Sequence, residues 1–306
     1  MKYYGICPAS CGEFVQGYVK EKEYLSSYAI DIYSVAYIEE KIHEIQRGPK
    51  KSRKAIEKVF EYFNIPIEES KNLSLEVKSK IPIGKGMASS TADIGATIKA
   101  TLAYLNKDMT MEEISKLASS IEATDSIYIE RTNIFNPIEG EVVKYLGNIQ
   151  GAKVIILEPN KRIKTSKIRQ RVDYKDIKQK NKYIIEEAFH MLEDGIYSND
   201  LNLIGKACNM SSLANENILK KPALREIMEI TENYGAYGVN IAHSGTVMGI
   251  VIDEYMDDVK LINKLVEKNI NSYYKKIYTK NIIQGGIRGE DNGIYKESYE
   301  NRRKKF

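Results

Sequence analysis

The stretch IPIGKGMASSTADIG, residues 81–95, constrains this chain more than any other. Before it, LSLEVKS at 73–79 alternates apolar and polar residues, the period of a half-buried strand. After it, Ser89 to Leu105 is rich in Ala, Thr and Leu and holds no proline, enough for about four helical turns. A strand, a glycine turn and a helix N-terminus aim backbone N–H groups and about half a positive charge at whatever lies in front, which suits an anion and above all a phosphate. Two familiar phosphate loops fail on spacing. The Walker pattern needs Gly where Ser79 stands and Ser or Thr where Gly86 stands, and Ser89 occupies the place of the third glycine of the dinucleotide fingerprint. What remains is a turn in which Gly84 and Gly86 permit close approach, Ala88 keeps the backbone uncluttered, and Ser89 and Ser90 put hydroxyls at the helix start. Ser89 also reads as a plain N-cap, and Lys85 reads equally as a phosphate contact or a solvated lysine.

Around this hinge the chain alternates strand and helix patterns. Residues 28–46 have period two and are rich in Ile, Val and Tyr, which predicts a long strand or a hairpin. Ala55, Ile56, Val59, Phe60 and Phe63 repeat at helical spacing, and Thr110 with Glu113 forms a capping box. Strands are predicted near 141–146 and 153–157. A second half follows, with helices near 183–192, 201–213 and 223–234, strands near 239–242 and 247–252, a helix near 257–267 and a strand near 272–278. With 306 residues this is an α+β chain of two lobes, 1–160 and 161–306, with the change-over between 155 and 180.

Composition removes several function classes. No run of about eighteen apolar residues is present to span a bilayer, and the opening MKYYGICPAS lacks a signal-peptide core, so the expectation is a cytoplasmic protein without a membrane partner. Cys7, Cys11 and Cys208 are too few and too scattered for a zinc site and read as buried thiols. A net charge of +4 is too weak to argue for nucleic acid. The ten basic residues between Glu158 and Lys182, and the closing Arg302, Arg303, Lys304 and Lys305, read as a solvated connector and tail.

The stretch Pro82, Gly86, Met87, Ala88, Ser89, Ser90, Thr91, Ala92 resembles the P-x-x-x-G-L-G-S-S-A-A phosphate loop of the GHMP kinases, the superfamily of galactokinase, homoserine kinase and mevalonate kinase. Met87 and Ala88 stand where that pattern has Leu and Gly. Within the superfamily, CPASCGEFVQG from Cys7 to Gly17, KGMASSTAD from Lys85 to Asp93 and NIAHSGTVMG from Asn240 to Gly249 resemble the bacterial L-threonine kinases of cobalamin synthesis. The resemblance spans nearly the full length. It implies an N-terminal lobe like ribosomal protein S5 domain 2, a ferredoxin-like C-terminal lobe, and ATP on residues 82–91: Pro82, Gly84, Lys85, Gly86, Met87, Ala88, Ser89, Ser90 and Thr91. It further implies Mg on Ser90 and Glu122, the latter in a segment where Ala123 replaces the relatives' proline, and Asp125 as the catalytic base. The carboxylate of a base near the acceptor hydroxyl orients it and takes its proton late.

An amino-acid acceptor needs partners for an ammonium and a carboxylate. Ser10 and Glu13 in the first motif, and His243, Ser244 and Gly245 in the third, are the candidate substrate shell, although Glu13 reads equally as a surface residue and His243 equally as a loop-holding histidine. Asp31 reads as structural. The expected partners are ATP and L-threonine, with a homodimer left open. Homoserine kinase is the near alternative, though the homoserine kinases' A-N-L-G-P-G-F-D stretch is missing. A ligand-binding sensor without catalysis is the alternative of another class, and the intact Ser90, Glu122 and Asp125 argue against it.

Overall fold

The computed structural model describes residues 1–41, 48–161 and 171–289. It opens with a long hairpin of β1 (Lys2–Val19) and β2 (Lys22–Glu40). Lys20 and Glu21, at φ 48° and 70°, supply the two left-handed residues of a two-residue type I′ connection. β2 is the strand expected from its alternation. β1 was not legible as one: it is buried without interruption from Gly5 to Gly17, with helices of both lobes against it, so it shows no period of two.

β3 (Leu73–Ser79) pairs along β2, and helices α1 (Lys50–Tyr62) and α2 (Ser89–Leu105) pack together, with α2 against the hairpin. α3 (Met111–Ser119) begins at the expected reciprocal bonds between Thr110 and Glu113. β4 (Thr132–Asn136) and β5 (Glu141–Gly147) complete the first lobe as a hairpin on the edge of β2.

The second lobe runs β6 (Ala152–Glu158), α4 (Tyr174–Lys180), α5 (Lys182–Ser198), α6 (Leu201–Asn215), α7 (Leu224–Asn233), β7 (Gly238–Ile241), β8 (Met248–Asp253), α8 (Asp258–Glu267) and β9 (Lys276–Ile283), after which a short β10 (Arg288–Gly289) returns to pair with β1. Its strand order, β7-β8-β6-β9, is that of a ferredoxin-like sheet. A second core of Ile155, Leu157, Ile227, Ile250, Leu261 and Leu265 lies under α7 and α8. A boundary at residue 160 leaves β6 in the first lobe, whereas β6 pairs on both sides with strands of the second, β8 and β9; the lobes divide in the turn between β5 and β6. α4 falls in the stretch expected to be a plain connector, and its Lys178 is buried against Glu23 of β2 at 2.6 Å.

The lobes are stitched along two seams. Glu13 of β1 pairs with Ile241 of β7, and Ala29 and Ile30 of β2 pair with Ile283 and Ile282 of β9, so β1-β7-β8-β6-β9-β2 forms a closed circuit of strands. Asp31 is structural as expected: both its oxygens take bonds from Asn281 of β9, at 3.0 and 3.2 Å. The three cysteines are buried thiols, that of Cys11 pushed up to about 12 by burial. Among the described residues no helix is long and apolar enough to cross a membrane. The tail at 302–305, much of the basic connector and the end of the strand expected over 28–46 lie outside the described residues.

Candidate active site

The hinge at 81–95 forms a turn with alternating left-handed residues, Gly84 at φ 71°, Gly86 at 86° and Ala88 at 56°. Ala88 is the N-cap of α2 and offers no side-chain bond to it, so Ser89 is not the cap but the first helical residue. The first intrahelical bond is Ala92 N–H to Ala88 C=O at 2.8 Å; the N–H groups of Ser89, Ser90 and Thr91 precede it and lie at the positive end of the helix. A left-handed residue with a Cβ costs about 1–2 kcal/mol. That accounts for the glycine common at this point of the motif and marks Ala88 as a strained position.

Two other motifs brace this turn. Gly12 N–H donates to Gly86 C=O at 3.1 Å and Ser10 N–H to Met87 C=O at 3.3 Å, which fastens β1 to it. From the other side, Thr246 and Val247 N–H both donate to Lys85 C=O, at 2.6 and 3.0 Å. Gly86 and Gly245 touch backbone to backbone: a Cβ on Gly86 would stand 2.3 Å from Ala242 Cβ, and one on Gly245 would stand 2.3 Å from Gly86 Cα. The three sequence motifs are thus one joint.

The Lys85 side chain follows neither expectation. It is buried, its ammonium taken up by the carbonyls of Pro159 and Lys161 with Glu158 at 4.0 Å, so it anchors the stretch that follows β6.

In front of α2, Ser90 Oγ donates to one oxygen of Glu122, and the ammonium of Lys51 on α1 sits on the other. One turn along α2, Asp93 accepts from Ser34 Oγ at 2.5 Å, and burial, then the neighbouring charge of Glu122, raises its pKa. The segment carrying Glu122 and Asp125 is docked on α2: Thr124 bonds Thr91 Oγ1 at 3.1 Å and Tyr128 at 2.8 Å, and Tyr128 reaches Thr91 C=O at 3.2 Å. Asp125, half-buried, accepts from Ser27 Oγ at 3.2 Å, across the hairpin from Glu13. A cavity of about 250 Å³ adjoins Ser27, with Ser126, Glu130, Arg131, Asn133 and Gln284 in its wall, and the Oδ1 of buried Asn133 has no hydrogen-bond partner.

The candidate substrate shell divides. Ser10 Oγ is 1% exposed and without a partner, and Ser244 is half-buried. Glu13, His243 and Gly245 are instead engaged in holding the third motif in place. Glu13 accepts His243 N–H at 3.1 Å and lies 3.0 Å from His243 Nδ1. A carboxylate only accepts, which puts the imidazole proton on Nδ1. His243 is driven well below its usual pKa by burial, then by Lys178 and Lys221, and stands neutral. Lys221, whose burial pulls its pKa down to about 7, donates to Ala242 C=O at 2.7 Å and Gly245 C=O at 2.6 Å.

Residues 50–128 match the model of the GHMP kinase N-terminal domain, and residues 192–271 that of the GHMP kinase C-terminal domain. The chain belongs to the GHMP kinases. Two curated members similar to it over most of their length are the L-threonine kinases of Salmonella typhimurium, 30% identical over 92% of this chain and 94% of that one, and of Citrobacter freundii, 28% identical over 92% and 97%. The fold is that of a homoserine kinase from Cytophaga hutchinsonii, with a TM-score of 0.72 at 16% identity over 94% of this chain and 97% of that one. This GHMP kinase therefore has the two-lobed architecture expected from its motifs.

Its site also holds residues that sequence reasoning missed. Ser27 precedes the alternating stretch at 28–46 and has no role in the sequence reading, and Asp93 closes a quoted motif without one. Lys51, Glu158 and Lys221 meet the site across 71, 73 and 21 to 24 residues of chain, and nothing in their local sequence marks them.

Proposed function

We propose that this kinase transfers the γ-phosphoryl group of ATP to the side-chain hydroxyl of L-threonine, giving O-phospho-L-threonine, the ester on which the aminopropanol arm of cobalamin synthesis draws. The observation that carries the transfer chemistry is the meeting of three things at one point: the N-terminus of α2 beyond a left-handed Ala88, the bonded pair Ser90 and Glu122, and Asp125 held by Ser27. Phosphoryl transfer needs positioning and cancellation of charge more than covalent help. The amides of 84–91 and the α2 dipole are the natural cradle for the triphosphate.

The donors at Ser90 and Glu122 are hard oxygens, a hydroxyl and a carboxylate already in contact, and Lys51 is drawn to the same carboxylate as a cation. That set fits Mg, which prefers one or two protein oxygens and keeps its own waters. When bound, Mg neutralises developing charge on the phosphate oxygens. Asp125 then orients the acceptor hydroxyl and receives its proton. The acceptor's two charged groups find both signs beside it, in Glu130 and Arg131 of the cavity next to Ser27. Similarity to two threonine kinases at 28–30% identity along nearly the whole chain favours threonine over homoserine, for a kinase of which the identity is 24% over 73% of this chain.

The test is ADP release with Mg-ATP and threonine, serine, homoserine or mevalonate, on the wild type and on Asp125→Ala. Turnover with threonine above all others is expected, falling about a hundredfold or more in the variant. Preference for homoserine would replace the substrate, and full activity of Asp125→Ala would remove that residue from the chemistry.

A further inference from the structure

We propose that Lys221 is a positioning residue that locks the glycine turn of the third motif under the phosphate loop and thereby sets nucleotide affinity. This rests on residues 84–91 being the triphosphate site. Lys221 lies just before α7 and is 4% exposed. Its ammonium donates to the carbonyls of Ala242 and Gly245, which flank the tip of the turn between β7 and β8. From the opposite charge, Glu13 takes the His243 N–H inside the same turn. The turn is therefore held by the Lys221 ammonium on its carbonyls, fully charged below the pKa of about 7 to which burial lowers it, and by a buried carboxylate on its amide, both charge-assisted and shielded from water.

What the turn carries is the phosphate loop. Thr246 and Val247 donate to Lys85 C=O, and Gly245 packs on Gly86 with no room for a methyl group between them. The position of Gly86, and with it the direction of the amides that follow, is fixed by the position of Gly245. Burying a lysine is costly unless its bonds are made, and removing it strands two buried carbonyls. A neutral hydrophobic residue would fill the same space but would leave the Ala242 and Gly245 carbonyls without the Lys221 donor. Lys221 bonds to the carbonyls of the turn, so its hydrogen bonds reach the nucleotide site through Ala242 and Gly245.

The experiment compares Mg-ATP binding by calorimetry in the full-length wild type and in Lys221→Ala, with folding checked by circular dichroism. The dissociation constant is expected to rise about tenfold or more, the loss that one charge-assisted bond's worth of order in the loop predicts. Propylammonium added to Lys221→Ala should restore affinity, and propanol, of similar size but uncharged, should not. A folded variant binding within about twofold of wild type overturns the proposal. So does weakened binding that the amine leaves unchanged or that propanol restores equally, since that reports general damage to packing. Should Lys221→Ala not fold, Lys221→Met keeps most of the stem and no donor, and the same tenfold loss is required of it. A wild type that binds no Mg-ATP would instead sink the reading of residues 84–91, a different failure.

Discussion

At the scale of single residues, the site is built from side chains whose ordinary chemistry has been changed by burial. His243 is the clearest case. Burial and two nearby lysines hold it neutral in the fold, whereas in the unfolded chain it takes a proton near 6.5. Because the unfolded state then binds more protons than the native one, stability falls as pH drops below 6.5, by up to about 1.4 kcal/mol per pH unit from this group. Replacing it by Gln keeps a donor toward Glu13 and removes the titration. Urea unfolding from pH 7.5 down to pH 5 should therefore show the wild type losing more stability than His243→Gln, and parallel curves would mean that His243 is protonated in the fold. The sequence placed His243 beside its glycine and weighed two roles for it. It could not reveal that Glu13, read as a substrate partner, is its hydrogen-bond acceptor from 230 residues away.

At the scale of elements, what was legible followed from local periodicity. β3 and α2 match their expected bounds, α1, α3 and α6 to α8 lie within a few residues of theirs, and α5 runs on to Ser198 past its expected end at 192, because each shows one apolar stripe or a cap to solvent. β1 lost its pattern by being buried on all sides, and β4 is too short to show one. The turn at 84–88 is legible in the sequence as glycines at a spacing, but the reason for Gly86 is visible only with Gly245 against it. Gly86→Ala forces a Cβ into a left-handed residue at φ 86° and to 2.3 Å from Ala242 Cβ. A loss of about 1–3 kcal/mol in unfolding free energy is expected, together with a raised KM for ATP. Wild-type stability and KM in Gly86→Ala would show that the two turns separate at no cost.

At the scale of the whole molecule, the closed circuit of strands places the site where the lobes are sewn together. The β1–β7 seam runs through Glu13, beside the glycine turn, and the β2–β9 seam through Ala29 and Ile30, two residues from Ser27 and its bond to Asp125. The proposed triphosphate turn and the proposed base Asp125 are thus fixed to one framework rather than to lobes that must first meet. The sequence indicated two lobes, but the seams depend on pairings of one or two residues that no local pattern encodes. The central claim is that the amides of residues 84–91 hold the triphosphate, and amide hydrogen exchange with and without Mg-ATP tests it most directly. The account predicts slowed exchange concentrated at residues 86–91 and in the glycine turn at 243–247; bound nucleotide that leaves those amides unchanged and protects another part of the chain would contradict it.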